Sequence, residues 1–159
     1  MFILMRKWGM CPTDALKFAK AVEPYNLLWV EDMIAGDYTP YTMASVYRDL
    51  TMRTSTPIHT GEQIYLKENY KELIEGQCVN VVGPDPADCG GIAELKWIAE
   101  YADIHGIQMA PHGTFDGVFG MAALTQVCAT MPTTLSPLST APVVRISGMI
   151  LSMDYRINY

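Results

Sequence analysis

LLWVE at residues 27–31 is a continuous apolar run that stops on an acid. A run of that kind, bounded by turn residues, is the pattern of a strand buried on both faces of a parallel sheet. Working outward, the arrangement recurs three times: PIHTG before Glu62, VNVVGP before Asp85, and IQMAP before His112. The gaps between Glu31, Glu62, Asp85 and His112 are 31, 23 and 27 residues, each close to one strand-plus-helix unit. Ionisable residues at the C-terminal tips of successive strands are the layout of a β/α barrel active site.

The segments between these runs have helical spacing. Residues 12–24, PTDALKFAKAVEP, offer Thr13 or Asp14 as a cap, apolar positions at Ala15, Leu16, Phe18, Ala19 and Val22, and Pro24 as a stop. Helices are also expected over 41–54, over 66–76 with Gly76 closing, and over 117–131. The clearest runs over 91–106, with Leu95, Ile98, Ala99 and Ala102 on one face and Gly106 as its stop. Alternating strands and helices give a parallel α/β sheet with right-handed crossovers, and alternation alone fits a barrel and a doubly wound sheet equally. After Pro132 the pattern ends. TTLSPLSTAPVVRISGMILSMDYRINY shows no helix period and no clean strand, so residues 1–132 form one unit and 133–159 an aberrant tail.

Bulk properties narrow the function classes. The chain has 159 residues, short of the ~250 of a complete eightfold barrel. Half the residues are hydrophobic and 18% are charged, a globular balance. Net charge is −6 and no basic run is longer than Arg6-Lys7, which argues against nucleic acid as a partner. Cys11, Cys78, Cys89 and Cys128 form no Cys-x-x-Cys pair, which points to a reducing, cytoplasmic setting. MFILMRKWGM is apolar and then basic, the reverse of a secretory signal, and no apolar run approaches the ~20 residues of a membrane span.

Glu31 and Glu62 end adjacent strands, so both carboxylates would enter one mouth. Two carboxylates and a third oxygen suit Mg²⁺, which prefers hard oxygen donors; either acid alone would equally be a solvated strand end. His112, between Pro111 and Gly113, is a candidate general base, with Asp85 on the preceding strand to fix its tautomer. A loop histidine bonded to a backbone carbonyl is the plainer alternative. His105 fits a helix C-terminus. His59 and Glu62 have His-x-x-Glu spacing, but on a strand they would face opposite sides, which argues against zinc. Gly90-Gly91 fits a tight turn better than a ligand-binding loop, and HGTFDGVFG matches no nucleotide fingerprint.

WVED, PIHTGE, GPDPADCGGI and MAPHG, in that order, resemble the barrel domain of the enolase superfamily. The likeness runs from about Thr13 to Pro132 and is greatest to the mandelate racemase and muconate-lactonizing branch, among its galactonate- and mannonate-type sugar-acid dehydratases. The resemblance implies a partial (β/α)8 (TIM) barrel, about strands 3 to 7 with their helices. It assigns Glu31 and Glu62 to the second and third Mg²⁺ carboxylates and Asp85–His112 to the catalytic dyad. The implied activity is that of a Mg²⁺-dependent carbon–oxygen lyase. A proton is taken α to a carboxylate, the enediolate is stabilised by Mg²⁺, and the β-hydroxyl is expelled, turning an aldonate into a 2-keto-3-deoxy-aldonate. A racemase, epimerase or cycloisomerase of the same branch would carry the same residues.

The chain also departs from that pattern. The family's first metal carboxylate would fall near Met5, where MFILMRKWG has no acid, and the acid/base two positions on would fall near Lys7. The capping domain, the first two strands and the final strand with its Glu are not visible. Thr133 to Arg156 is expected to be a frameshifted stretch, since permissible codons read in the neighbouring register spell a Phe-Glu-Tyr segment like the family's last strand. On this reading the free chain is an inactive remnant whose open strand edges favour association. A full-length relative would be a homo-oligomer acting on a small sugar acid.

Overall fold

The computed structural model describes residues 3–5, 10–34, 43–113, 117–132, 144–146 and 149–151. Five short strands, β1 (Ile3–Met5), β2 (Trp29–Glu31), β3 (Ile58–Thr60), β4 (Val81–Val82) and β5 (Gln108–Met109), form one sheet in the order β1-β2-β3-β4-β5. Every pairing is parallel and joins neighbours in sequence. That order settles what alternation left open, because a doubly wound sheet reverses direction at a switch point and a barrel wall does not.

Between the strands lie α1 (Pro12–Ala21), α2 (Ala44–Thr51), α3 (Lys71–Glu75), α4 (Pro86–Cys89) and α5 (Ile92–Ile104), and α6 (Gly117–Cys128) follows β5. Pro12 opens α1, where a missing amide hydrogen costs nothing, and Ala15 and Ala19 lie fully buried one turn apart. In α5 the expected face of Leu95, Ile98, Ala99 and Ala102 is fully buried, and His105 places Nδ1 2.8 Å from the Tyr101 carbonyl at the helix end. The expected third helix is instead a 3-10 turn over Lys67–Tyr70 that leads into the five-residue α3. Gly76 ends it in right-handed geometry; a Cβ there would meet Cys78 Sγ at 2.7 Å and the Glu72 carbonyl at 2.8 Å. Gly90 and Gly91, at φ +111° and +101°, make the turn from α4 into α5.

Strand residues divide by face. Val30, Ile58, Val82 and Met109 join the core beneath the helices with Tyr47, Leu50, Leu73, Ile98 and Leu124. Glu31, His59 and Val81 occupy paired register positions and therefore share the opposite face. Met5 pairs with Glu31, so the strand position where the family pattern expects its first carboxylate carries a methionine.

The tail differs from expectation in one respect. β6 (Val144–Ile146) and β7 (Met149–Leu151) pair antiparallel with each other as a separate two-stranded sheet. VRI, with Arg145 between two β-branched residues, and the apolar MIL flank Ser147-Gly148 in sequence, a dipeptide type that marks turns. Most of the expected frameshifted stretch and the altered last strand lie outside the described residues. Among the described residues, no helix is long and apolar enough to cross a membrane.

All four cysteines are free thiols; Cys11 is exposed, while Cys78 and Cys89 are buried. Burial pushes the Cys89 thiol up to about 12 and the Cys128 thiol up to about 11. At pH 8 a maleimide should therefore label Cys11 within minutes and leave Cys89 and Cys128 untouched until denaturant is added. Fast labelling of Cys89 in the native chain would contradict this packing.

Candidate metal and proton-transfer site

The strand tips bring four residues together much as their spacing implied. β2 ends on Glu31, whose Oε2 accepts the Trp29 indole N–H at 2.9 Å, so the carboxylate is fixed by its own strand. The next residue, Asp32, adopts φ +52°, and its Oδ1 accepts the Thr60 hydroxyl at 3.1 Å. Thr60 in turn lies 3.0 Å from the Tyr47 hydroxyl on α2, so the helix layer supports the rim.

Glu62 lies just beyond β3, in a turn that needs Gly61 at φ +131°. A Cβ at Gly61 would press on Tyr70 Cε1 at 3.2 Å and on the Gly83 amide nitrogen at 3.3 Å. Tyr70 clamps this loop: its hydroxyl donates to the Gly61 carbonyl at 2.7 Å, with the Ile64 carbonyl at 3.0 Å.

Asp85 has two duties. Oδ1 accepts the Ala87 amide at 2.8 Å and caps α4, while Oδ2 lies 2.7 Å from His112 Nδ1. The cap fixes the carboxylate, and the carboxylate fixes the imidazole. The other ring nitrogen, Nε2, lies 3.3 Å from Glu62 Oε2. Burial alone would lower the His112 pKa. The Asp85 hydrogen bond and the charges of Glu62, Asp85 and Glu31 outweigh it and hold the imidazole above its ordinary 6.5.

Ligand oxygens of Glu31, Asp32 and Glu62 lie within 4.8 Å of one another. Three carboxylates, two of them buried, are a hard-oxygen donor set that fits Mg²⁺. Asp32 was not among the expected site residues. Its signal was the second acid of WVED, at the point where a strand ends and alternation ceases. β3 stops at Thr60, so strand alternation does not reach Glu62; His59, on β3, places Nδ1 3.7 Å from Glu31 Oε2. Lys7 lies outside the described residues.

The His112 geometry gives a signed pH dependence. A folded-state pKa raised above 6.5 means that protonation contributes stability fully below about pH 6.5, and that this is lost as pH rises through the folded value. With divalent ions chelated, the His112 ring resonances should titrate above 6.5, and Asp85→Asn should lower that midpoint and flatten the melting-temperature profile across the same window. An unchanged midpoint in Asp85→Asn would refute the pairing.

The chain was compared with known proteins on this basis. The family model "Enolase C-terminal domain-like" matches residues 6–157. A D-xylonate dehydratase of Haloferax volcanii is 33% identical over 129 residues, covering 81% of this chain and 30% of that enzyme. A D-mannonate dehydratase of Caulobacter vibrioides is 33% identical over 107 residues, covering 67% of this chain and 25% of that enzyme. Among solved structures, L-talarate dehydratase from Polaromonas sp. JS666, complexed with Mg and L-glucarate, superposes with a TM-score of 0.64 at 26% identity, over 76% of this chain and 31% of that one. The chain thus spans under a third of the length of these relatives, and with its parallel wall and strand-tip acids it belongs to the enolase C-terminal domain-like family.

Proposed function

We propose that the chain carries the metal-holding and proton-transfer side of an acid-sugar dehydratase, whose substrate is a small aldonate and whose product is a 2-keto-3-deoxy acid. The observation that carries this reading is His112, held by Asp85 at 2.7 Å and set 3.3 Å from Glu62 beside the carboxylate cluster. Relatives named as D-xylonate and D-mannonate dehydratases support the substrate class.

With Nδ1–H donated to Asp85, the His112 Nε2 lone pair faces the rim and accepts the α-proton. The imidazolium that forms is stabilised by Asp85 and Glu62, in keeping with its raised pKa. That proton is then available to leave with the β-hydroxyl as water, and the enol left behind tautomerises to the 2-keto acid. Lys7 is the proposed second acid/base. Glu31 and Glu62, with Asp32 as the third oxygen donor, would hold Mg²⁺, which supplies positive charge opposite the negative charge developing on the substrate carboxylate. Trp29 holds the Glu31 carboxylate, and Tyr70 holds the backbone of the loop that carries Glu62.

A second reading, a chain that binds a divalent ion without turnover, is favoured by Met5 standing in register with Glu31. Incubation with Mg²⁺ and a panel of aldonates separates the two. Dehydration yields a 2-keto-3-deoxy acid, and His112→Asn should slow it by about 10²–10⁴-fold. A C2 epimer in place of the keto acid would indicate a racemase or epimerase instead. Metal binding with no product from any sugar acid would support the second reading.

A further inference from the structure

His59 is a buried side chain that the proposed reaction leaves unused. It is 3% exposed, and it stands in register with Glu31 on the neighbouring strand, so the two share a face. Trp29, two residues before Glu31, comes to the same face as a diagonal neighbour of His59, within reach for an aromatic ring. The two rings stack, 5.1 Å between centroids and 19° between planes. The far edge of the imidazole is seated on the next two strand tips. Nε2 lies 3.3 Å from the Ala110 carbonyl, and a Cβ at Gly83 would come within 2.2 Å of Nε2 and 2.4 Å of Cε1.

A carbonyl oxygen only accepts, so Nε2 carries the proton, and its N–H to Ala110 fixes the plane of the imidazole. That plane backs one face of the Trp29 indole, itself 5% exposed. An indole has a single N–H, whose direction follows the tilt of the ring. Here it donates to Glu31 Oε2 at 2.9 Å. Nδ1 of His59 approaches the same oxygen only to 3.7 Å, beyond hydrogen-bond distance, so the hold of the imidazole on the carboxylate runs through Trp29. An empty space in place of the imidazole would remove the contacts on that face of the indole, and the N–H would leave its line to Glu31.

We propose that His59 is a positioning residue for the Glu31 carboxylate, acting through the Trp29 indole and anchored on the Ala110 carbonyl. It holds Glu31 ready for a divalent cation without being a ligand itself. The effect on metal affinity rests on the reading of the carboxylates as a metal centre, whereas the aim of the indole N–H does not, and the test separates the two.

The 159-residue chain is labelled with ¹⁵N-tryptophan, and Trp29→Phe identifies the Trp29 indole N–H signal among the three tryptophans. In the metal-free chain His59→Ala should move that signal upfield, as a weakened bond to a carboxylate does. His59→Gln, whose side-chain N–H reaches toward Ala110 as Nε2 does, should restore most of its position. Glutamine has no ring current, so this recovery isolates the hydrogen bond. Calorimetry with Mg²⁺ is the second readout: His59→Ala and Trp29→Phe should each weaken binding about tenfold. The double variant should bind no more weakly than Trp29→Phe alone, because residues acting in series are not additive. Melting curves establish that each variant folds; should His59→Ala not fold, His59→Leu, which fills the volume without a planar group or an N–H, carries the same expectations. An indole signal unmoved by the loss of His59 overturns the proposal, and so does a double variant in which the two losses multiply. A parent chain that binds no Mg²⁺ overturns the metal reading and the effect on affinity, while the indole signal still decides whether His59 sets the Glu31 carboxylate.

Discussion

The Asp85 carboxylate holds the site together by facing two ways. One oxygen takes the Ala87 amide and starts α4; the other takes the His112 imidazole from the neighbouring strand tip. The ladders beneath are only two or three residues long, so backbone pairing alone ties the rim weakly. Side chains complete the ties: Trp29 to Glu31, Thr60 to Asp32, Tyr70 to the loop carrying Glu62, and His112 from Asp85 across to Glu62. A hydrogen bond to a buried charge contributes about 1.5–3 kcal/mol. Removing Asp85 would thus loosen a helix cap and the imidazole together, where removing most rim residues loosens one contact.

The order of elements was legible because two periods alternate without interruption. Apolar runs such as LLWV cannot be surface strands, and the Leu95, Ile98, Ala99, Ala102 face cannot be anything but a helix packed on one side. Placing acids at the ends of such runs was enough to bring Glu31, Glu62, Asp85 and His112 to one rim, since parallel strands all point their C-terminal ends the same way. Barrel against doubly wound sheet was not legible, because strand order is a property of pairing rather than of pattern.

What escaped the sequence lies where periodicity stops. Asp32 enters the cluster through a left-handed backbone turn that no spacing rule signals. The seat of the His59 ring depends on Gly83, a glycine just past β4, where a Cβ would meet Nε2 at 2.2 Å. Tyr70 holds the loop that carries Glu62 through the Gly61 and Ile64 carbonyls, a tie to the backbone that no motif signals. The antiparallel pairing of VRI with MIL lies inside a stretch whose composition obscures it.

The central claim is that strand-tip carboxylates form one metal centre beside a carboxylate-held imidazole. Crystals of the chain grown with Mn²⁺, examined for anomalous scattering, test it most directly. The account predicts a single strong peak among Glu31, Asp32 and Glu62, with His112 still bonded to Asp85. A peak elsewhere, or these three carboxylates ordered with no ion among them, would contradict it.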